Sequence, residues 1–252
     1  MPFASLSGKR VVVTGSSSGI GRAIALECAK AGADVVISYR KSVELAEMAA
    51  TEVNYLGSVV DLASVDIADA DSRRAFVEEC FDTGPVDAIV NNAGADLLTG
   101  PLKDADFATK LKVLLDADVT GTIELSRAFG EHFRDQGRGS ILTIGWDQAD
   151  RGMEGGSGEL FTTAKNAIMG FTRSLSLSLA PEVRVNCIAP GWIRTAWGDG
   201  AGDYWQKRVL RETPLRRWGQ PQDIANMARF LLSDEAAYIT GQVFNVNGGA
   251  VR

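Results

Sequence analysis

Three glycines near the start of the chain have the spacing of a phosphate-binding turn. The segment VVVTGSSSGIGRAIAL (11–26) places Gly15, Gly19 and Gly21 between an apolar run and a stretch with helical apolar spacing. Residues without side chains let backbone N–H groups approach a pyrophosphate, which also lies at the positive end of the helix dipole. A tight turn without a ligand would explain the glycines alone, but the strand before and the helix after them favour a nucleotide site.

Charged residues follow the next two apolar runs. The second run ends in Ser38-Tyr39-Arg40-Lys41, and Asp66 closes the third. A basic residue at the end of the second strand pairs with a 2′-phosphate, whereas an acid there accepts hydrogen bonds from the ribose hydroxyls. Arg40 and Lys41 therefore favour NADP(H), although NAD(H) could also bind and a solvated charge pair is nearly as good an explanation. The Asp66 carboxylate could accept a hydrogen bond from the adenine amino group.

The elements that must position these residues alternate regularly along the chain. Strands are predicted at 10–15, 34–40, 59–66, 86–94, 139–145, 183–191 and 241–249, and helices at 21–33, 42–54, 72–83, 104–132, 158–180 and 221–232. Apolar strands separated by helices indicate a parallel sheet covered on both faces. We therefore predict an α/β fold: one Rossmann-type doubly wound sheet spanning 1–252 as a single domain. The stretch 192–215, rich in Gly, Trp and charge, is predicted to be irregular and to form a lid over a substrate.

Composition excludes several classes of partner. With a net charge of −6 over 252 residues, the chain lacks the basic surface that nucleic acid requires. No apolar run approaches the roughly 20 residues that span a bilayer, and no signal peptide is recognisable, so we expect a cytoplasmic protein. Cys28, Cys80 and Cys187 are scattered in apolar segments, which predicts buried thiols. With His132 as the only histidine, no metal site is expected.

Six segments, in order, resemble the motifs of the short-chain dehydrogenase/reductase family: TGSSSGIG (14–21), VDI (65–67), NNAG (91–94), AKNAIMGFTRSLS (164–176), VRVNCIAPGWIRT (183–195) and ITGQVFNVNGG (239–249). Together they cover nearly the whole chain. The resemblance implies a seven-stranded sheet, a nicotinamide dinucleotide, a small-molecule substrate and a homotetramer or homodimer. It also implies contacts to the phosphates from Gly15, Ser17, Ser18 and Ile20, to the adenine from Asp66 and Ile67, to the ribose from Asn92, Ala93 and Gly94, and to the nicotinamide side from Pro190, Gly191, Ile193 and Thr195.

The resemblance fails at the positions that handle protons. The family uses an Asn, a Ser, a Tyr and a Lys, of which only Lys165 is present. By position, Phe161 replaces the Tyr of the Tyr-x-x-x-Lys motif, Trp146 lies at or beside the Ser, and Asp118 replaces the Asn. Lys165 would still hold the nicotinamide ribose.

These replacements restrict the chemistry. A Phe161 ring cannot donate a proton, and the indole N–H of Trp146 is too weak an acid, so ketone reduction by the usual route should be severely impaired. Reduction of a conjugated C=C is less demanding, because the enolate is delocalised and water can protonate it later. The string around Asp118 resembles dienoyl-CoA reductases of the family, some of which lack the Tyr and carry an Asp here. Asp118 and Lys165 could hold such a water, or simply form a buried ion pair.

Three functions therefore stay open: an NADP(H)-dependent reductase of an activated C=C or atypical carbonyl, a silent dinucleotide-binding sensor or partner subunit, and an ordinary 3-oxoacyl thioester or sugar ketone reductase. Nearby carboxylates are predicted to be solvated charges or to face away from Lys165; these are Asp147, Asp150, Glu154 and Glu159. Tyr204 could enter the site from the lid. The three indoles of 192–215, Trp192, Trp197 and Trp205, would form either core packing or an aromatic wall for a flat substrate.

Overall fold

The computed structural model describes residues 2–250, which form a parallel sheet of seven strands between two layers of helices. The strands are β1 (Arg10–Val13), β2 (Asp34–Tyr39), β3 (Val60–Ser64), β4 (Ala88–Asn91), β5 (Gly139–Ile144), β6 (Val183–Pro190) and β7 (Val243–Val246). Their order in the sheet is β3-β2-β1-β4-β5-β6-β7, with every neighbouring pair parallel. The chain reverses its direction of winding between β1 and β4, and this switch point opens a crevice at the carboxyl ends of the strands. The predicted fold class is confirmed.

Nine α-helices connect and cover the strands: α1 (Gly19–Lys30), α2 (Val43–Tyr55), α3 (Ala70–Asp82), α4 (Phe107–Leu114), α5 (Thr122–Asp135), α6 (Gly156–Leu179), α7 (Ala196–Gly200), α8 (Asp203–Glu212) and α9 (Pro221–Leu232) within residues 2–250. Helices α1, α2 and α9 pack on one face of the sheet, and α3, α5 and α6 pack on the other. The central strands are apolar because both of their faces are covered; all four residues of β4, for example, are buried.

The helix predicted over 104–132 is not continuous. It consists of α4 and α5, joined by a π-helical segment at Leu115–Gly121, and α5 continues to Asp135. The end of this π-helical segment packs directly against the backbone at Ile67. Residue 121 must be glycine there, because a Cβ on it would lie 2.3 Å from the carbonyl oxygen of Ile67. The wider turn changes the direction in which the neighbouring side chains point, and such segments are common at functional sites. Asp118 lies within this one.

The prediction that 192–215 is irregular is wrong in part, because the segment contains α7 and α8. The polar sequence of this segment gave no apolar periodicity from which these short helices could be predicted. They are stabilised by packing against the indole of Trp218, whose ring lies 3.0 Å from where a Cβ on Gly198 would be. The Trp218 N–H also donates to the side-chain oxygen of Gln206 in α8 at 2.8 Å.

The remaining general predictions concern thiols, metals and membranes. Cys28, Cys80 and Cys187 are buried and unpaired, as predicted, and burial raises the pKa of Cys28 to about 12. Over residues 2–250, no cluster of three or more His, Cys, Asp and Glu side chains is arranged to hold a metal ion. None of the helices in this part of the chain has the length and apolarity needed to cross a membrane.

Candidate active site

The glycine turn between β1 and α1 forms a close-packed cradle at the switch point. Gly15 and Gly19 have φ values of +62° and +56°, a region that side chains disfavour. A Cβ on Gly21 would lie 2.3 Å from the carbonyl oxygen of Gly15 and 2.4 Å from Nδ2 of Asn92. Only glycine therefore allows α1 to start this close to β1 and β4.

The segment after β4 is fixed to this turn by hydrogen bonds. The Asn92 side-chain amide donates to the carbonyl oxygens of Thr14 at 3.0 Å and Gly15 at 3.2 Å. The Thr14 hydroxyl accepts from the backbone N–H groups of Asn92 and Ala93 at 2.9 and 3.0 Å. The floor of the crevice is thus rigid before any ligand binds.

A groove of about 840 Å³ runs along this floor. Of the residues predicted to bind the cofactor, those that line it are Gly15, Ser17, Ser18, Ile20, Arg40, Ile67, Asn92, Ala93, Gly94 and Thr195. Gly19 and Gly21 shape the turn beneath it. Asp66 is not among the lining residues; its carboxylate lies 3.8 Å from the Arg40 guanidinium and accepts from the N–H of Ala68. An adenine contact by Asp66 stays a prediction.

A second cavity, of about 630 Å³, continues from the groove. Ile20 and Thr195 line both spaces, so the two are contiguous. The other predicted site residues that line this cavity are Trp146, Phe161, Lys165, Pro190, Gly191 and Ile193. The structure therefore brings the predicted nicotinamide-side residues into one cavity with Trp146, Phe161 and Lys165.

Lys165 and Asp118 form a buried ion pair between the two spaces. The ammonium of Lys165 lies 3.0 Å from Oδ2 of Asp118, and the two side chains are 16% and 2% exposed. The other carboxylate oxygen, Oδ1, accepts the backbone N–H of Ala95 at 2.7 Å. A Cβ on Gly94 would lie 2.8 Å from Oδ2, so the carboxylate lies directly behind the groove. Lys165 reaches the cavity, while Asp118 contacts it only through Lys165.

Two aromatic rings occupy the space beside Lys165. Phe161 lies one helical turn before Lys165 on α6, and its ring meets the Trp146 indole edge-on with centroids 6.5 Å apart. The three ionisable side chains among the residues that line this cavity are lysines: Lys103, Lys110 and Lys165. Of these three lysines, Lys165 is the one that a carboxylate, that of Asp118, holds beside the rings of Phe161 and Trp146.

The carboxylates that follow Trp146 have different surroundings. The prediction of a solvated charge is wrong for Asp147, which is 1% exposed. Burial raises the pKa of Asp147 to about 6, against the smaller opposing effect of a hydrogen bond from Asn247 at 3.1 Å. The buried position follows from tertiary packing, since the Asp147 N–H donates to the carbonyl oxygen of Pro190 at the end of β6. Glu154 is exposed and pairs with Arg208, and Asp150 and Glu159 lie at the surface.

The tryptophans of 192–215 form one wall of the cavity. Trp192 stacks on Trp197 with centroids 6.1 Å apart and lies 5.6 Å from Trp205, and all three line the cavity. Arg208 lies over the Trp205 ring and binds Glu154 at 2.7 Å, which joins α8 to the loop after β5. Tyr204 is 63% exposed and does not line the cavity.

Several residues that line the second cavity were not predicted from the sequence. Lys103, Lys110, Leu97, Leu98, Met153 and Ser157 face the second cavity. The lysines lie in a polar stretch around the start of α4, where charges are ordinarily solvated, so no motif marked them. Ser157 lies four residues before Phe161 on α6, and this one-turn spacing was the only available signal.

The switch-point crevice and its glycine cradle define a dinucleotide-binding fold of the Rossmann type. A model of the family described as enoyl-(acyl carrier protein) reductase matches residues 15–251. The 3-oxoacyl-(acyl-carrier-protein) reductase FabG of Staphylococcus aureus is 34% identical over 96% of this chain and 97% of its own. The corresponding reductase of Synechocystis is also 34% identical, over 99% of both chains.

Solved structures agree with this assignment. A Sinorhizobium meliloti protein described as a short-chain alcohol dehydrogenase superposes with a TM-score of 0.89 at 33% identity, covering 99% of this chain and 98% of the other. A gluconate 5-dehydrogenase from Burkholderia cenocepacia, solved with NADP and tartrate, gives a TM-score of 0.88 at 28% identity over 98% and 96%. The chain belongs to the short-chain dehydrogenase/reductase family of NAD(P)-dependent oxidoreductases.

Proposed function

We propose that the protein is an NADP(H)-dependent reductase of an activated C=C or a carbonyl, with an enoyl-, dienoyl- or 3-oxoacyl-thioester-like substrate and with water as the source of the proton. The observation that carries this proposal is the composition of the second cavity: among its lining residues within 2–250 the ionisable groups are lysines, and the rings of Phe161 and Trp146 lie in contact beside Lys165. We take these two rings to replace the hydroxyl groups that the family resemblance implies at positions 161 and 146.

The groove fits a nicotinamide dinucleotide. A side chain at Gly15, Gly21 or Gly94 would collide with the backbone or with Asp118, which leaves an uncovered backbone surface where a pyrophosphate and ribose could lie. Arg40 and Lys41 line the far end and supply the positive charge that a 2′-phosphate would need. When bound, the reduced dinucleotide supplies a hydride to the substrate.

The role proposed for Lys165 is electrostatic. Its ammonium would face the oxygen on which negative charge develops, and a positioned charge in a partly dry cavity stabilises an enolate strongly. Asp118 is then a positioning residue: it fixes the ammonium from behind and touches neither substrate nor cofactor. A water bound to Lys165 would deliver the proton. The delocalised enolate is stable enough to be protonated after hydride transfer, whereas an alkoxide needs its proton during hydride transfer.

The segment 192–215 would act as a lid. It supplies the indole wall of the cavity, and the Arg208–Glu154 pair closes it against the loop after β5. We further propose that the protein forms a homo-oligomer.

A second candidate, a dinucleotide-binding protein without catalytic activity, is favoured by the same aromatic replacements. The two functions separate in one experiment. NADPH binding is measured by its fluorescence, after which cinnamoyl-CoA, crotonyl-CoA and a 3-oxoacyl-CoA are added and the loss of NADPH absorbance is followed. The proposed reductase turns over at least one substrate of the panel, whereas NADPH binding with no turnover on the whole panel would support the inactive protein.

Variants test the assigned roles. Turnover should survive Phe161→Ala. It should fall by about 10²-fold or more in Lys165→Met, since a single electrostatic contact to a developing oxyanion contributes on this scale, and also in Asp118→Asn, because the ammonium then loses the carboxylate that positions it. Phe161→Tyr should not produce strong ketone reduction, because the Trp146 indole still fills the adjacent space. Vigorous ketone reduction by that single variant would show that the arrangement proposed for this site is wrong.

A further inference from the structure

Two lysines at the edge of the second cavity lack a carboxylate partner. Lys103 follows a 3-10 turn at Gly100–Leu102, Lys110 lies in α4, and both line the cavity. The Lys110 ammonium donates to the backbone carbonyl oxygen of Lys103 at 2.6 Å, which brings the two residues together on one side of the cavity.

Within residues 2–250, neither of these lysines forms an ion pair within 4.0 Å. Asp106, one turn before Lys110, is already engaged as a helix cap: its carboxylate accepts from the N–H and hydroxyl of Thr109 at 2.9 and 2.8 Å. Lys112, two residues beyond Lys110, does have a partner, since it pairs with Asp116 at 2.6 Å.

The rest of this cavity is predominantly apolar. Trp146, Phe161 and Trp192 contribute rings, and Leu97 and Leu98 contribute aliphatic surface. No carboxylate of residues 2–250 lines it, and the charge of Lys165 is compensated by Asp118. In a chain whose net charge is −6, the cavity is therefore locally positive on the side of Lys103 and Lys110.

We propose that Lys103 and Lys110 form an anion subsite that selects substrates carrying a negatively charged group, either a carboxylate or a phosphate, on a flat unsaturated body. The flat body would lie against the rings, and the anion would take the charge-assisted hydrogen bonds that the two ammonium groups have free. This inference rests on the proposed function for the identity of the cavity, but it concerns binding and can be tested without turnover.

The test measures binding by calorimetry in the presence of saturating NADP⁺. The first pair of probes is trans-cinnamate and its neutral counterpart cinnamamide. The second pair is cinnamoyl-CoA and the N-acetylcysteamine thioester of cinnamate, which has no phosphates. The double variant Lys103→Gln/Lys110→Gln is compared with the wild type and with Lys112→Gln, which removes a lysine of the same helical region outside the cavity.

At least one anionic probe should bind about tenfold more tightly than its neutral counterpart, corresponding to two partly exposed charge contacts. This preference should vanish in the double variant and persist in Lys112→Gln. If the double variant loses a preference only for cinnamate over cinnamamide, the subsite binds a carboxylate of the substrate. If it loses a preference only for cinnamoyl-CoA over the N-acetylcysteamine thioester, the subsite binds phosphates.

Equal binding of charged and neutral probes, a preference that survives in the double variant, or no binding of any probe would overturn the subsite. Unchanged NADPH affinity in all variants verifies that the fold is intact. Failure of the proposed function looks different, because anion binding would then remain while no substrate is reduced.

Discussion

The ion pair between Lys165 and Asp118 gives the sharpest test of how this site is held together. Lys165→Met would leave a 2%-exposed carboxylate that, within residues 2–250, retains the Ala95 N–H as its partner. Loss of one partner of a buried pair destabilises a protein by about 3–5 kcal/mol. Asp118→Asn should cost less, about 1–2 kcal/mol, because the 16%-exposed ammonium retains some access to water and the amide oxygen can still accept from Ala95.

The double variant makes the test quantitative. In the Lys165→Met background, a neutral Asn at position 118 destabilises the protein less than a buried carboxylate without its ammonium partner. The double variant should therefore lose about 2 kcal/mol less unfolding free energy than the two single variants lose together. The measurement is urea unfolding of the four proteins without cofactor, at one protein concentration so that assembly does not shift the midpoints.

A matched control lies in the same region of the chain. Lys112 and Asp116 form a surface pair, 76% and 44% exposed, at helical i,i+4 spacing. Lys112→Met should therefore change the unfolding free energy by no more than about 0.5 kcal/mol. If Lys165→Met costs no more than this control, or if the costs of the two single variants simply add, the pair is not the coupled buried unit inferred here.

Further predictions concern the cofactor groove and Asp147. Gly21→Ala should weaken NADPH binding at least about tenfold, because its Cβ would lie 2.3 Å from a backbone oxygen of the cradle; near-normal affinity in a fluorescence titration would contradict the close packing. Arg40→Ala should weaken NADPH binding more than NADH binding, and an equal loss for the two cofactors would remove the basis for an NADP preference. Burial raises the pKa of Asp147 from 3.8 to about 6, so the folded protein retains a proton that the unfolded chain has already released. The free energy of unfolding should therefore fall as pH rises between these two values, by about 3 kcal/mol in all, and stay low above them. Asp147→Asn should remove that contribution, and an unchanged pH profile of stability would contradict it.

The parts of the structure that follow from local pattern could be predicted from the sequence. Buried strands such as β1, whose last three residues are all Val, have a continuous apolar sequence, and the glycines at 15, 19 and 21 indicate a turn in which backbone packs closely on backbone. The order of elements then determines the crevice at the switch point, which is why predicted positions as far apart in sequence as Gly15, Asn92 and Thr195 line one groove.

Features that depend on tertiary placement could not be predicted in this way. Asp147 has an ordinary loop sequence around it and is buried only because β6 and Asn247 close over it. Lys103 and Lys110 are seven residues apart in a polar stretch, and nothing local indicates that they face a cavity. The π-helical turn that carries Asp118 likewise follows from the contact of Gly121 with the chain at Ile67.

The cluster of indoles on one wall of the cavity has an optical consequence. Trp192, Trp197, Trp205 and Trp218 lie with ring centroids 5.6 to 6.5 Å apart where they meet. Excitation energy passes readily between rings at such separations, so the four emit as a coupled group rather than as independent chromophores. Displacement of α8 from Trp192 would uncouple them and alter the emission, which gives the protein a built-in spectroscopic reporter of the geometry of this wall.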